Sequence, residues 1–314
     1  MMFLNLKENM SIREISRISG ISLSTYYYSS SKRNVKRINP ETERKILDIA
    51  LERPTYGYRR IWALLKNNET MVNRKTVSRI LKNNNLSLPV AKHKNRIETR
   101  NLFNPIAPDQ LWQTDITYIP TIFCMTYLMC IKDCFSKEWQ GYYYAVTCTA
   151  SDAIKSVEDA VLKVFNGNIP KGLTLRVDNG PQYISNVFMK AMDLLGIMVE
   201  HIQKQTPEDN GDIESFHNSL KTDYIWVTDL ETFEDAKNLI EYAFTDYNTI
   251  RPHSSISFLP PDEFERRWNE SEDFRNQFLE SKKRKEERIL KNRNEKKRRL
   301  KENVSFEGKI SVQN

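Results

Sequence analysis

The sequence predicts a mixed α/β domain with helices on the faces of its sheet, preceded by small all-α modules of the helix-turn-helix type. Two observations predict this fold class. Residues 11–88 show helical periodicity interrupted by turn signals. From residue 111 onward the chain instead shows three successive strand-like segments and then alternates helix with strand, as mixed α/β sheets do. A length of 314 residues is enough for two or three such modules.

The charges divide the chain in the same way. Residues 1–104 carry a net charge of +13, residues 105–281 carry −14 and residues 282–314 carry +8, within a total of +7. Basic ends around an acidic middle favour nucleic acid held by the ends and carboxylate chemistry between them. Charge segregation without function is the alternative.

The sequence shows neither an apolar run of membrane-spanning length nor a secretory signal, so we expect a cytoplasmic, nucleoid-associated protein without a membrane partner. Its four cysteines lack CxxC spacing and fall in apolar segments, which predicts reduced core residues.

The first module is expected over residues 1–31. Isoleucines recur at helical spacing from Ile12 to Ile18, the pattern breaks at Gly20, and it resumes after Ser22, a good N-cap. This is a helix-turn-helix pattern whose second helix could face DNA. A helical hairpin with no DNA contact is the other interpretation.

A second helical module is expected over residues 38–88, followed by a polar, basic linker over residues 89–104. Pro40 opens its first helix and Asn73 caps its third. Its basic residues could meet DNA phosphates, although a solvated basic face is the competing interpretation for each of them. The candidate DNA contacts here are Arg59, Arg60, Arg74, Lys75 and Arg79.

The third module, expected over residues 105–265, contains the α/β pattern. Apolar, β-branched and aromatic runs predict strands, and periodic segments predict helices. The strands are predicted at 111–119, 126–136, 139–146, 173–177 and 197–202, and the helices at 150–165, 181–196, 211–223 and 231–248.

Three carboxylates in this module are candidates for chemistry. Asp115 lies inside the first strand, where an unpartnered charge is costly, Asp178 ends the fourth strand, and Glu214 lies in the first turns of a helix. Thirty-five residues separate Asp178 from Glu214. If the first and fourth strands are neighbours, Asp115 and Asp178 project side by side. Taken singly, Asp178 could be an ordinary turn residue and Glu214 a surface charge.

The segments around these carboxylates resemble a known family. WQTDITYI, VDNGPQYIS and DNGDIESFHNSLK are similar to the three catalytic blocks of the retroviral-integrase-like transposases encoded by bacterial and archaeal insertion sequences. YNTIRPHSSI resembles the segment that closes the family's catalytic domain, and PTYGYRRI and VNRKTVSRIL resemble its upstream DNA-binding helices. The resemblance covers about residues 11–265 and implies a ribonuclease-H-like core.

The resemblance implies that Asp115, Asp178 and Glu214 form a catalytic Asp-Asp-Glu triad. Oxygen ligands suit Mg²⁺, with Mn²⁺ as a possible substitute, and two such ions about 3.5–4 Å apart can activate a nucleophile and stabilise a leaving oxygen. In this hypothesis Asp115 bridges both ions, while Asp178 and Glu214 hold one each. Lys221 matches a basic position that often follows the glutamate in the family. It could contact phosphate, or it could be an ordinary solvated lysine.

His217 and Asn218 share the helix face of Glu214 and are further candidates for DNA contact. For the Arg251-Pro252-His253 corner, a structural role and a DNA contact both remain open. The basic C-terminal region, residues 266–314, is expected to be a solvated helix or a disordered arm that screens phosphates.

The expected function is a DNA transposase that binds insertion-sequence ends and catalyses metal-dependent cleavage and strand transfer. Its partners would be double-stranded element ends and target DNA. Because two ends must meet one target, the resemblance also implies a homo-oligomer in the synaptic complex. The alternatives are a domesticated integrase-like nuclease and a non-catalytic DNA-binding regulator.

Overall fold

The computed structural model describes residues 11–26, 38–89, 103–202 and 210–310. The chain divides into two compact units, one ending at Glu43 and the other beginning at Arg44. Within the described residues, no helix is both long enough and apolar enough to cross a membrane.

In the first unit, two short helices confirm the predicted break. Helix α1 spans Ile12–Ser19, and helix α2 spans Leu23–Tyr26. Ser11 and Glu14 form a capping box at the start of α1, in which each side chain accepts from the other residue's backbone N–H. Gly20 ends α1 at φ 70°, a left-handed conformation that glycine adopts without steric cost.

The second helical module has the three predicted helices. They are α3 (Pro40–Glu52), α4 (Tyr58–Asn67) and α5 (Arg74–Asn83). The Asn73 side chain accepts from the backbone N–H of Lys75, as expected of an N-cap. One side chain in every three or four along these helices is apolar and buried, which forms the module's core: Ile46, Ala50, Ile61, Ala63, Leu64, Leu65, Val77, Ile80 and Leu81.

A five-stranded mixed sheet forms the centre of the second unit. Its strand order is β3-β2-β1-β4-β5, in which β1–β2 and β2–β3 are antiparallel pairs and β1–β4 and β4–β5 are parallel pairs. The strands are β1 (Leu111–Pro120), β2 (Met125–Asp133), β3 (Trp139–Ala145), β4 (Thr174–Val177) and β5 (Met198–His201). The helices of this core are α6 (Ala150–Phe165), α7 (Asn186–Leu195), α8 (Gly211–Leu220) and α9 (Phe233–Thr249).

Helices cover both faces of the sheet. Alternate residues of β2 point to opposite faces, so Leu128 and Cys130 pack with α8 and α9, whereas Ile131 packs with α6 and α7. Gly141 of β3 makes the sheet's approach to α6 possible, because a Cβ there would lie 2.6 Å from the backbone nitrogen of Ala160. The predicted fold class is confirmed.

Two element boundaries differ from the predictions. Residues 181–185 form turns, and α7 begins only at Asn186, because Gly180 O accepts from Tyr183 and Ile184 and Ser185 caps the helix. Helix α8 continues into a π-helical segment, Lys221–Ile225. Of the four free cysteines, Cys130 is in the core, but Cys124 is exposed because it lies in the turn between β1 and β2.

The chain ends in two helices, α10 (Pro261–Glu270) and α11 (Glu272–Ile310). A short 3₁₀ turn, Ser254–Ile256, precedes them. Aromatic residues of both helices pack with Phe135 at the end of β2 in a satellite core that contains Phe264, Trp268 and Phe278.

The second helical module packs against the sheet domain through polar and aromatic contacts. Arg53, directly after α3, makes two hydrogen bonds to the carboxylate of Asp246 in α9. Asn67 Nδ2 donates to the carbonyl of Phe258 at 3.2 Å, and the rings of Trp62 and Phe258 meet edge to face at 5.8 Å between centroids. These contacts fix the module against the corner that follows α9.

Candidate functional site

The register of two parallel strands places Asp115 and Asp178 level with one another. Gln113 of β1 pairs with Arg176 of β4, and two further residues along each strand lead to Asp115 and Asp178. Both side chains are partly buried. The structure therefore brings these two predicted site residues side by side in the middle of the sheet, where β4 ends, as the sequence analysis expected if β1 and β4 were neighbours.

Asp178 lies in a tight turn that orients its carboxylate. Its Oδ1 accepts from the backbone N–H of Gly180 at 2.8 Å. A Cβ at residue 180 would approach this oxygen to 2.9 Å, so a larger residue there would displace the carboxylate. His201 Nδ1 lies 3.3 Å from the carbonyl oxygen of Asp178, next to the end of β5.

Electrostatics couple the two carboxylates. Burial raises the pKa of Asp178, and the charge of Asp115 raises it further, while the Gly180 N–H and His201 act in the opposite direction. Two like charges close together are stabilised by a cation between them. The donor set consists of hard oxygen ligands, which Mg²⁺ prefers.

Helix α8 contacts Asp115 at two points. Asn210, which precedes the helix, accepts from Gln113 Nε2 at 2.7 Å and donates to Asp115 Oδ2 at 3.5 Å. His217 Nδ1 lies 3.5 Å from the same oxygen. The His217 ring is buried, and its Nε2 has no hydrogen-bond partner among the described residues. These contacts position Asp115 Oδ2 against the helix.

Glu214 lies between these two contacts on the same helix face, at positions i, i+4 and i+7 with Asn210 and His217. Its side chain is exposed and makes no hydrogen bond or ion pair within the described part of the chain. Among those residues, no group of three or more His, Cys, Asp or Glu side chains is close enough to hold a metal ion. The structure thus brings Asp115 and Asp178 together and leaves the Glu214 carboxylate apart from them.

Ion pairs attach the opposite side of α8 to β2 and to the turn that follows it. Asp212 Oδ1 lies 3.0 Å from Lys132 Nζ, and Asp212 Oδ2 lies 2.7 Å from Lys137 Nζ. Burial alone would raise the pKa of Asp212, but the two lysines hold it well below its usual value. The sequence analysis did not identify these two ion pairs of Asp212. A lysine inside an otherwise apolar strand, Lys132, was the available signal.

The candidate DNA contacts fall into two groups. Arg59, Arg74, Lys75, Arg79 and Asn218 are exposed. Arg74 lies over the Trp62 ring at 3.8 Å. The remaining three have other surroundings: Arg60 pairs with Asp223 at 3.3 Å, Lys221 is half-buried at the start of the π-helical segment, and His217 faces Asp115.

In the Arg251-Pro252-His253 corner, Arg251 and Pro252 are buried and His253 is half-buried. Arg251 Nε lies 2.9 Å from Asp223 Oδ2, and its Nη1 lies 3.2 Å from His253 Nε2. The π-helical segment places Asp223 between Arg60 and Arg251, so one carboxylate links α4 with this corner. Pairings of this kind join residues far apart in sequence, and no local pattern indicates them.

Family models match the chain over most of its length. Two models described as "Integrase core domain" match residues 105–207 and 195–261. A model described as "HTH-like domain" matches residues 39–94, which include all of helices α3, α4 and α5.

Curated relatives point in the same direction. The transposase for insertion sequence element IS904 of Lactococcus lactis is 32% identical over 225 residues, which are 67% of this chain and 87% of the relative. Transposase InsD for insertion element IS2 of Escherichia coli is 31% identical over 240 residues, 68% of this chain and 74% of the relative. Among solved structures, the simian T-cell lymphotropic virus intasome overlaps 70% of this chain and 74% of its own, with 18% identity and a TM-score of 0.46.

Proposed function

This chain belongs to the transposases of bacterial insertion sequences that carry an integrase core domain, and we propose that Asp115, Asp178 and Glu214 are its catalytic residues. As a member of this family it is a polynucleotidyl transferase that acts on DNA. The observation that carries the proposal is the level placement of Asp115 and Asp178 on the neighbouring strands β1 and β4, with α8 in contact with Asp115.

Glu214 would join the two aspartates by rotation of its side chain. The residues on either side of it along the helix face, Asn210 and His217, already contact Asp115. An exposed glutamate that makes no hydrogen bond to the described residues moves between rotamers at little cost. The exposed position of Glu214 is therefore compatible with a site that completes itself when its ligands are present.

The residues fit a divalent cation site. The carboxylate oxygens of Asp115, Asp178 and Glu214 would hold Mg²⁺ or Mn²⁺, two ions per site. Such ions, when bound, activate the attacking oxygen and stabilise the leaving oxygen of a phosphodiester. Burial raises the pKa of Asp178 and the neighbouring charge of Asp115 raises it further, so a cation between the two carboxylates would be favourable there.

The side chains around the carboxylates would hold them in place during two displacements at phosphorus. In the first, a water oxygen bonds to phosphorus at the element end, and the bond to the 3′ oxygen breaks to leave a 3′-OH. In the second, that 3′ oxygen bonds to a target phosphorus, and the target strand's own 3′ oxygen leaves. Asn210 and His217 position Asp115, and the Gly180 N–H positions Asp178.

DNA would be held by the exposed basic residues of the helical module. Arg74, Lys75 and Arg79 are exposed on α5 within the part that matches an HTH-like domain. The first unit, α1 and α2, would add a further DNA contact. Because two element ends must meet one target, we expect at least two protomers in the synaptic complex, acting on the nucleoid in the cytoplasm.

The test is cleavage and strand transfer of labelled element-end DNA by the full chain with Mg²⁺. Asp178→Asn should lower the rate by about a hundredfold or more and retain DNA binding. Asp193→Asn, an exposed aspartate in α7, is the matched control and should be as active as wild type. Equal rates for wild type and Asp178→Asn would contradict the catalytic assignment. An inactive wild type that still binds DNA would favour a non-catalytic regulator.

A further inference from the structure

A cavity of about 510 Å³ lies on the side of α8 opposite Asp115. It is enclosed by the start of α4, the end of β2, the outer turns of α8 and the corner that follows α9. Ser215 and Ser219 of α8 contribute hydroxyl groups to its wall. None of the residues assigned above to the carboxylate site lines this cavity.

Positive charge dominates the cavity wall. Five of the described lining residues are cationic: Arg59, Arg60, Lys132, Lys137 and Arg251. Lys132 and Lys137 share the carboxylate of Asp212, and Arg60 and Arg251 share the carboxylate of Asp223.

The cations therefore outnumber the carboxylates that pair with them. Arg59 is exposed at the mouth of the cavity, and its Nε donates to the hydroxyl of Tyr58. Partly buried like charges are costly unless an anion compensates them.

Arg251 has a buried donor without a partner. The residue is only 2% exposed, and its Nε and Nη1 are engaged by Asp223 and His253. Its Nη2 is buried and has no hydrogen-bond partner within the described residues. Leaving a charged donor unpaired in the interior costs free energy that a bound anionic oxygen would recover.

The pKa of His253 reflects the same positive electrostatic potential. Burial, followed by the charges of Arg251 and Lys132, lowers the pKa of His253 well below its ordinary value. The imidazole is thus neutral, and its Nε2 accepts from Arg251 Nη1 at 3.2 Å. The histidine does not add to the positive charge, and Arg251 Nη2 is left to meet an anion.

We propose that this cavity binds a phosphate group. Guanidinium and ammonium donors together with serine hydroxyls match the oxygens of a phosphate, which carry negative charge on several sides. The phosphate could belong to a DNA strand or be free in solution, and the structure favours DNA. The cavity shares Arg59, Ser254 and Phe258 with a groove of about 670 Å³ that is lined by Arg74, Lys75, Arg79, Lys82 and Lys285.

A DNA backbone that follows this groove along α5 would reach the cavity beside α8. The phosphate site itself follows from its charges alone, whereas its assignment to DNA rests on the proposed function. A strand anchored there would hold duplex DNA at the back of the helix that carries Glu214. The site would therefore set the position of the substrate relative to the carboxylates.

The first experiment measures binding of inorganic phosphate to the full chain by calorimetry, in chloride buffer of constant ionic strength. Wild type should bind one phosphate saturably. Lys137→Asn should weaken binding at least about tenfold, and asparagine tolerates the left-handed backbone of residue 137, at φ 68°. Lys237→Gln, a half-buried lysine of α9 that pairs with Glu234 and lies outside the cavity lining, should bind like wild type.

Arg59→Gln is a second test variant, because Arg59 is exposed and its replacement leaves the buried ion pairs intact. It should also weaken phosphate binding. Absence of saturable binding by wild type, or wild-type affinity in folded Lys137→Asn and Arg59→Gln, would overturn the site.

The second experiment identifies the source of the phosphate. If a DNA phosphate occupies the cavity, saturating element-end duplex should abolish binding of inorganic phosphate. Undiminished phosphate binding in the DNA complex would overturn the DNA assignment and leave a site for free phosphate. Asp178→Asn should lose strand transfer but keep both phosphate binding and its competition with DNA, so failure of the chemistry and failure of the anion site are separate results.

Discussion

Arg53 and Asp246 are 193 residues apart in sequence, yet they form a two-bond ion pair, with Nη1–Oδ2 at 2.7 Å and Nη2–Oδ1 at 2.6 Å. The Asp246 side chain is 2% exposed, and the hydroxyl of Tyr224 also donates to it, at 2.8 Å. Hydrogen bonding to Asp246 raises the pKa of Arg53. This pair attaches the second helical module to the last long helix of the sheet domain.

Arg53→Met should therefore destabilise the protein by about 3 kcal/mol, because it leaves a buried carboxylate without its cation. Urea unfolding measures the change. Arg44→Met, in the helix that Arg53 directly follows, is the matched control, since Arg44 is exposed and lies 3.9 Å from Asp48. The control should change stability by less than about 0.5 kcal/mol. Equal losses in the two variants would show that the pair to Asp246 has no special role.

Gly141→Ala should disturb the packing of β3 on α6. The added Cβ would lie 2.6 Å from Ala160 N and 2.7 Å from Ala160 Cα, and backbone atoms cannot move aside as a flexible side chain could. We expect a loss of about 1–3 kcal/mol in the free energy of unfolding, measured by denaturant titration. Gly211→Ala, at the start of α8 where a Cβ meets no described atom within 4 Å, should be neutral or slightly stabilising. A neutral Gly141→Ala would be inconsistent with this packing.

Asp109→Asn should stabilise the protein at alkaline pH. Burial, and then the charge of Asp133, raises the pKa of Asp109 to about 7. Between about pH 4 and 7 the folded state keeps a proton that the unfolded chain has lost, so the contribution of Asp109 to stability falls as the pH rises through this window.

Asparagine removes that penalty and can keep the bond from Trp112 Nε1, which is 2.9 Å long. Because Asp109 retains some contact with solvent, we expect a gain of about 1 kcal/mol at pH 8 that disappears near pH 4. Melting temperatures of both proteins across this range provide the measurement. A difference that is independent of pH would exclude the raised pKa as its cause.

Glu214→Gln should separate catalysis from stability. Because Glu214 is exposed and makes no hydrogen bond in the described chain, the variant should unfold within about 0.5 kcal/mol of wild type. Strand transfer should nevertheless fall about a hundredfold or more. Glu158→Gln, exposed on α6, is the control for replacing a surface glutamate and should retain full activity. Full activity in Glu214→Gln would remove this residue from the proposed site.

Asn210→Ala tests the positioning of Asp115. The side chain of Asn210 connects Gln113, at 2.7 Å, with Asp115 Oδ2, at 3.5 Å. Its removal should lower strand transfer about tenfold through a less well-oriented carboxylate. The Mg²⁺ concentration needed for half-maximal activity should rise in parallel, which a general loss of stability would not produce. Asn186→Ala, exposed at the start of α7, should change neither quantity.

Local patterns in the sequence were sufficient for most of the fold. The isoleucine spacing before Gly20, the N-cap at Asn73 and the apolar runs of the sheet depend on neighbours in the chain, so their signal is visible without tertiary information. The placement of Asp115 level with Asp178 followed from one assumption, that β1 and β4 are neighbours, and the strand order confirms it. The roles of both residues stay predictions.

Other features depend on contacts that no local pattern contains. Asp223 pairs with both Arg60 and Arg251, and nothing around any of the three residues in sequence indicates the others. The orientation of Glu214 was equally inaccessible, because helical spacing specifies a face of the helix but not the rotamer of an exposed side chain. Pairings and rotamers of this kind are set only after the elements have packed.

The wide turn of Lys221–Ile225 has a consequence for how insertions and deletions would act on this chain. A single residue added to or removed from a helix rotates everything beyond it by about 100°. The segment sets the rotation of Asp223 about the helix axis relative to Glu214. Its length therefore determines whether Glu214 can face Asp115 while Asp223 meets Arg60 and Arg251. Deleting one residue from this segment would rotate Asp223 away from its arginine partners or Glu214 away from Asp115, although none of these side chains would be changed.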